Sequence, residues 1–287
     1  SERAMNHWAS DYFKVSVKAD GVFQIMENTK TSAFLVTGTS RALLIDSGYG
    51  FSDLWKFVKG LTDLPLTVVN THGHLDHTGG NFLFDEVYIN YEELPVYYWY
   101  QSVEKPVILA KFQKDYQGHV HEIWPSDFLV SEYMEKRPQR LLNLENGRCF
   151  DLGGRMVETI FLPGHTKGSV VFLDSESGLL FAGDNIAQNV WLFFDHSAPV
   201  ADWVRGLDGL RNRRISGILS THAQLIYPKH ILDWLMLAAA HKTPSNSRLF
   251  VHPRTGQQAL SYKQKVEGIQ GLDCVRIVYP ITGCDSV

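Results

Sequence analysis

Five histidines and two aspartates stand at the ends of four short segments of this chain. The segments are Thr71-His72-Gly73-His74-Leu75-Asp76-His77, Pro163-Gly164-His165, Ala182-Gly183-Asp184 and Ser220-Thr221-His222. Neutral imidazole and carboxylate are ligands suited to zinc, iron or manganese. His72 and His74 are two residues apart, so on an extended strand end both point to one side. Asp76 and His77 fall in the following turn, within reach of a second ion. Although the chain holds 12 histidines, a His-x-His-x-Asp-His string arises by chance on the order of once in a thousand such chains. By contrast, His119, His121, His196, His230 and His252 stand alone and read as satisfied polar residues.

The elements that must position these groups are legible as apolar runs. Leu66–Val69 leads into the histidine string. Val157–Leu162 leads to His165, Leu179–Ala182 to Asp184 and Gly217–Ser220 to His222. Each reads as a buried strand. Ligands in such folds gather at the carboxyl ends of strands, so four strand ends can serve one cavity. Val22–Ile25, Ala33–Thr37 and Ala42–Ile45 are further strands, the last ending at Asp46. Ser52 is expected to cap a helix through Val58, and another helix is expected after Gly80. Val170–Leu173 and Leu179–Ala182 suggest a hairpin. Helices are expected over Ala201–Leu210 and Ile231–Ala240, and Leu249–His252 and Val275–Tyr279 read as strands of a small appended segment, about residues 245–287.

Residues 91–143 differ in character. Tyr91, Tyr97, Tyr98, Trp99, Tyr100, Phe112, Tyr116, Trp124, Phe128 and Tyr133 crowd into one segment. It reads as an insertion of one or two helices with loops. Such a cluster suits a packed core, and its place directly after the histidine string also makes it a candidate pocket wall. Strands with intervening helices predict an α/β (α+β) sandwich, here a single domain over 1–287.

Composition sets the outer bounds. With 287 residues, 44% hydrophobic and 20% charged, the chain reads as an ordinary globular protein. Its net charge of −4 gives no electrostatic reason to expect nucleic acid or an anionic membrane. Arg211, Arg213 and Arg214 read as a solvated helix end. No apolar stretch approaches the roughly 20 residues of a membrane span. Cys149, Cys274 and Cys284 are odd in number and scattered, which argues against a disulfide framework and for a reducing, cytoplasmic setting. Spacing alone does not decide whether Cys274 pairs with Cys284. The N-terminal residues lack an apolar leader core.

Taken together, His72-x-His74-x-Asp76-His77, Pro163-Gly164-His165-Thr166-x-Gly168-Ser169, Gly183-Asp184 and His222 resemble the metallo-β-lactamase-fold hydrolase superfamily. The resemblance runs from about Val22 to His222. It implies an αββα four-layer sandwich with metals at one edge of the paired sheets. It implies that His72, His74 and His165 hold one ion, that Asp76, His77 and His222 hold a second, and that Asp184 bridges both. It also assigns Asp46 to steadying a ligand histidine, as a ligating imidazole needs a partner on its other nitrogen. True β-lactamases of the family carry cysteine or serine where Asp184 stands. The Pro-Gly-His-Thr-x-Gly-Ser stretch is most similar to the glyoxalase II, lactonase and thioesterase branch. The basic and tyrosine residues with which glyoxalase II grips glutathione have no clear match here.

The expected activity is therefore that of a dinuclear hydrolase, zinc first and iron or manganese second. A metal-bridging hydroxide would attack a small ester, thioester or lactone, and Asp76 would help orient it. Tyr49, Trp191 and His196 lie near motif-bearing loops and are candidate pocket residues. The competing expectations are a mononuclear iron persulfide dioxygenase, a phosphodiesterase of the same fold, and a metal-stabilised binding module. A small-molecule substrate is expected, and the sequence leaves the oligomeric state open.

Overall fold

Every apolar run that precedes a ligand-type residue is a β-strand in the computed structural model of the protein, which describes residues 10–137 and 140–282. Residues 1–9 and Cys284, on which the expectations about a leader and a Cys274–Cys284 pair rest, lie outside the described residues. The chain divides into two compact units, one of Ser1–Ile160 with Phe172–Ser177, the other of Phe161–Val171 with Gly178–Val287.

The first unit is built on a seven-stranded sheet. Its order is β1 (Phe13–Ala19), β2 (Val22–Glu27), β3 (Ser32–Thr37), β4 (Ala42–Ile45), β5 (Leu66–Val69), β6 (Val87–Ile89) and β7 (Leu141–Asn143). The first four strands pair antiparallel and the last four parallel. The β4 run Ala-Leu-Leu-Ile is buried at all four positions, as a strand covered on both faces must be. Parallel register sets Ile45 opposite Val69, so Asp46 and the histidine string leave the sheet at the same edge. Leu35, Leu44, Val58 and Val68 join one core cluster beneath that edge.

Helix α1 (Leu54–Leu61) buries Leu54 and Val58. Its cap is Asp53 rather than the expected Ser52: the Asp53 carboxylate accepts from the Lys56 amide at 3.0 Å. The helix expected after Gly80 is only a 3₁₀ turn, Asn81–Leu83. The helical turn lies earlier, as α2 (Leu75–Thr78) within the histidine string itself, and Phe84 is already extended towards β6. Residues 91–143 carry more helix than expected: α3 (Leu94–Trp99), a π-helical turn, α4 (Lys105–Asp115) and α5 (Val130–Glu135), ending in β7. Trp124 and Tyr133 belong to the core cluster, with Phe112, Tyr116 and Phe128 packed against it. Tyr91, Tyr98 and Trp99 are exposed. Strands β8 (Cys149–Asp151) and β9 (Met156–Phe161) pair antiparallel. Arg155 between them donates to Asp174 at the end of β10 (Val170–Asp174), and to the Asp20 and Thr37 carbonyls.

In the second unit, β11 (Leu179–Phe181) pairs parallel with β13 (Gly217–Leu219). Strand β12 (Asn189–Trp191) opens a four-stranded sheet with order β12, β16 (Leu272–Tyr279), β15 (Gln258–Ile269), β14 (Arg248–Val251). Helix α6 (Val200–Leu210) buries Trp203, Leu207 and Leu210, and α7 (Ile231–His241) buries Ile231, Leu232, Leu235 and Ala238. No helix among the described residues is long and apolar enough to cross a membrane.

Candidate metal centre

In the first unit the site is assembled around Asp46. This residue takes a left-handed backbone conformation (φ 66°), which costs a residue with a Cβ roughly 1 kcal/mol or more and which aspartate tolerates better than most. The conformation is held by three hydrogen bonds to the buried carboxylate. The Thr71 amide donates at 2.7 Å, the Thr71 hydroxyl at 2.8 Å and His77 Nδ1 at 2.8 Å. With its hydroxyl hydrogen committed to Asp46, Thr71 Oγ1 accepts from His72 Nδ1 at 3.0 Å. Both imidazoles are thereby protonated on Nδ1, which leaves Nε2 as the lone-pair nitrogen of each.

The string folds back tightly. Ring centroids lie 4.6 Å apart for His72 and His74 and 4.1 Å apart for His72 and His77. His72 and His74 each offer a ring nitrogen within 4.8 Å of the other's, and Asp76 and His77 are equally close. His77 is buried and Nε2 lies 3.5 Å from the Asp76 carboxylate, which keeps a fifth of its side chain exposed. A Cβ on Gly73 would come within 2.9 Å of the Tyr97 amide nitrogen, so that place in the string has no room for a side chain.

Of the groups that brace this string, sequence reasoning named only Tyr100, as one of the 91–143 aromatics. The Gly73 amide donates to Glu93 at 2.9 Å, and the His74 ring lies 4.6 Å from that of Tyr100. Both partners belong to the 91–143 segment. Asn70 and Asn81 exchange side-chain hydrogen bonds at 3.1 and 2.8 Å, Asn70 also donates to the His77 carbonyl at 3.3 Å, and Ser47 donates to Asn81 at 2.7 Å. Ser47 and Asn70 at least follow strand ends beside the motif, whereas Asn81 and Glu93 lie in 3₁₀ turns that carry no such signal. Tyr49 sits in the aromatic core, stacked on Phe51 at 5.0 Å, and its carbonyl accepts from the Tyr133 hydroxyl at 2.5 Å.

In the second unit the three expected ligands meet on one carboxylate. The parallel register of β11 and β13 sets Phe181 opposite Leu219, so Asp184 and His222 emerge at the same edge. His165 Nε2 lies 3.6 Å from one oxygen of Asp184, and His222 Nε2 lies 3.3 Å from the other. His165 is buried; the His222 side chain is nearly half exposed. His165 Nδ1 donates to the Trp191 carbonyl at 2.7 Å, which again leaves Nε2 facing the carboxylate.

Asn185, also missed in the sequence, accepts from the His165 amide at 2.8 Å and donates to the Leu162 carbonyl. Trp203 in turn donates to the Asn185 carbonyl at 2.9 Å. A Cβ on Gly164 would strike the Trp203 ring at 2.3 Å, which explains the small residue in Pro-Gly-His. His196 stacks on Phe194 at 4.9 Å, and Phe194 meets His165 edge-on at 5.7 Å. Burial, with the nearby His165 and Lys167, pushes the His196 imidazole down to about 4, so it is neutral at physiological pH. The structure thus gives each unit a His/Asp cluster with metal-ligand character.

Comparison with known proteins agrees with this chemistry. The family described as "Metallo-beta-lactamase superfamily" matches residues 27–223. The acyl-coenzyme A thioesterase MBLAC2 of Homo sapiens is 25% identical over 235 residues, covering 76% of this chain and 77% of that protein. A hydroxyacylglutathione hydrolase of Synechococcus sp. is 28% identical over 148 residues, covering 52% and 45%. Among solved structures, a metallo-beta-lactamase from Pontibacter korlensis superposes with a TM-score of 0.54 at 19% identity, covering 80% of this chain and all of that one. The fold class expected from the sequence is the one found.

Proposed function

Because the chain belongs to the metallo-beta-lactamase superfamily, we propose that it hydrolyses an acyl thioester, or a small ester or lactone of the same electrophilic class, with a pair of divalent ions. His72, His74 and His165 would hold one ion, Asp76, His77 and His222 would hold the other, and Asp184 would serve both. The donor set fits zinc: five imidazoles and two carboxylates, with iron and manganese as alternatives. When bound, the ions lower the pKa of a water to about 7 and polarise the scissile carbonyl.

This chain's own residues do the positioning. Asp46 and Thr71 fix the tautomers of His77 and His72. Asp76, part-exposed beside buried His77, orients the attacking water. The neutral, half-buried His196 and the Trp191 side chain line the approach to His165. The observation that carries the reading is Asp184, which turns one oxygen to His165 and the other to His222. A thioester is placed first because a thioesterase and a hydroxyacylglutathione hydrolase are both among the relatives.

The test uses zinc-loaded protein, with release of free thiol read on acyl-coenzyme A and acyl-glutathione and release of acid read on lactones and small esters. Asp76→Asn is expected to lower kcat by about 10²–10⁴-fold, the usual worth of a positioned proton acceptor. Protein with both ions bound and no turnover of any ester, thioester or lactone would contradict the proposal.

A further inference from the structure

The C-terminal strands pack against the segment that orients His165, and nothing in the family assignment, which ends at residue 223, gives them a role. The contact is specific. His165 Nδ1 donates to a backbone carbonyl, that of Trp191, at 2.7 Å. Trp191 closes the three-residue strand β12, too short to hold itself. Its place is set by β16, with Asn189 opposite Arg276, Val190 opposite Ile277 and Trp191 opposite Val278. Two backbone bonds of 2.7 Å close the ladder, Leu192 N–H to Val278 and Arg276 N–H to Gln188.

The side chains repeat the arrangement. Phe193, Ala259 and Val278 form a small buried core, with Trp191, Phe194 and Phe250 packed against it. The Trp191 ring lies 5.4 Å from Phe250 and 5.3 Å from His252, both contributed by or just after β14. The Gln257 amide donates to the Phe193 carbonyl at 3.0 Å. Strands from residues 248–279 therefore fix where the 191 carbonyl points.

We propose that this C-terminal sheet is the positioning element for His165: through β12 it holds the Trp191 carbonyl on Nδ1 and so presents Nε2 as a metal ligand. Trp191 is then a positioning residue whose side chain anchors a backbone acceptor. This inference rests on the assignment of His165 as a ligand, and its purpose fails with that assignment.

The test reads the tautomer and the metal separately. In metal-free wild-type protein, ¹⁵N imidazole NMR is expected to show His165 protonated on Nδ1. Trp191→Ala and Phe250→Ala are each expected to mix the tautomers. Each is also expected to weaken zinc binding at one of two sites by about 10–100-fold in a chelator competition, the usual effect of losing an outer partner of a ligating histidine. Trp191→Phe, which keeps an aromatic anchor, is expected to restore both. Phe250→Ala lies away from β12, so it stays informative where Trp191→Ala fails to fold. An Nε2-protonated His165 in the wild type, or unchanged tautomer and affinity in both alanine variants, overturns the proposal. Wild-type protein that takes up no zinc overturns the ligand assignment instead, and is told apart because the tautomer is measured without metal.

Discussion

Asp46 shows how one side chain can set the chemistry of two others. Its carboxylate accepts hydrogen bonds from His77 Nδ1 and from the Thr71 hydroxyl, and the latter commitment makes Thr71 the acceptor for His72. The ring nitrogens proposed as ligands are thus decided, in both histidines, by Asp46. Asp46→Ala is expected to weaken zinc binding by about 10–100-fold, measured by chelator competition, with the helical content unchanged in circular dichroism. Unaltered affinity would show that the tautomers are held by other means. At this scale the sequence was informative where ligand types cluster. The His-x-His-x-Asp-His string, His165, Asp184 and His222 stand out by spacing and by strand ends. Asn70, Asn81, Glu93 and Asn185 do not, because each acts through amide or carboxylate hydrogen bonds whose partners only the folded backbone brings near.

At the scale of elements, buried strands were easier to read than half-exposed ones. β4 and β11 are continuous apolar runs and were legible as such. β1 alternates Val15 and Val17 with Lys14, Ser16 and Lys18, and β15 carries Lys263, Lys265 and Glu267 on its open face, so neither presents an apolar run. The 91–143 segment is firmly tied to the histidine string through Glu93, Tyr97 and Tyr100. Replacing it by a short loop is therefore expected to cost bound metal as well as to alter substrate choice; metal content by elemental analysis decides, and full retention would make the segment a dispensable wall. The Arg155–Asp174 pair joins β9 and β10 to the turn after β1. Burial alone would raise the Asp174 carboxyl, but hydrogen bonds from Arg155 and Ser177 outweigh it and hold it below the usual carboxylate value. Its stabilisation is therefore complete above the unfolded value, about 3.9, and is lost as pH falls through the lower folded value. Arg155→Met leaves the carboxylate buried without its partner and is expected to cost about 3–5 kcal/mol at pH 7 in urea unfolding, with the deficit shrinking below about pH 4. A deficit that grows on acidification would contradict this account.

For the molecule as a whole, the proposed function makes one demand: metal must be part of the folded state. A ligand present at a thousand times its dissociation constant adds about 4 kcal/mol to stability, so chelation is expected to lower the unfolding midpoint by several degrees, reversed by added zinc. The most direct test is elemental analysis of the purified protein together with equilibrium uptake of zinc by the stripped chain. About two zinc ions per chain, falling to about one or none in His72→Ala, is the result expected. A single iron per chain, or no uptake at all, would contradict a two-ion hydrolytic centre.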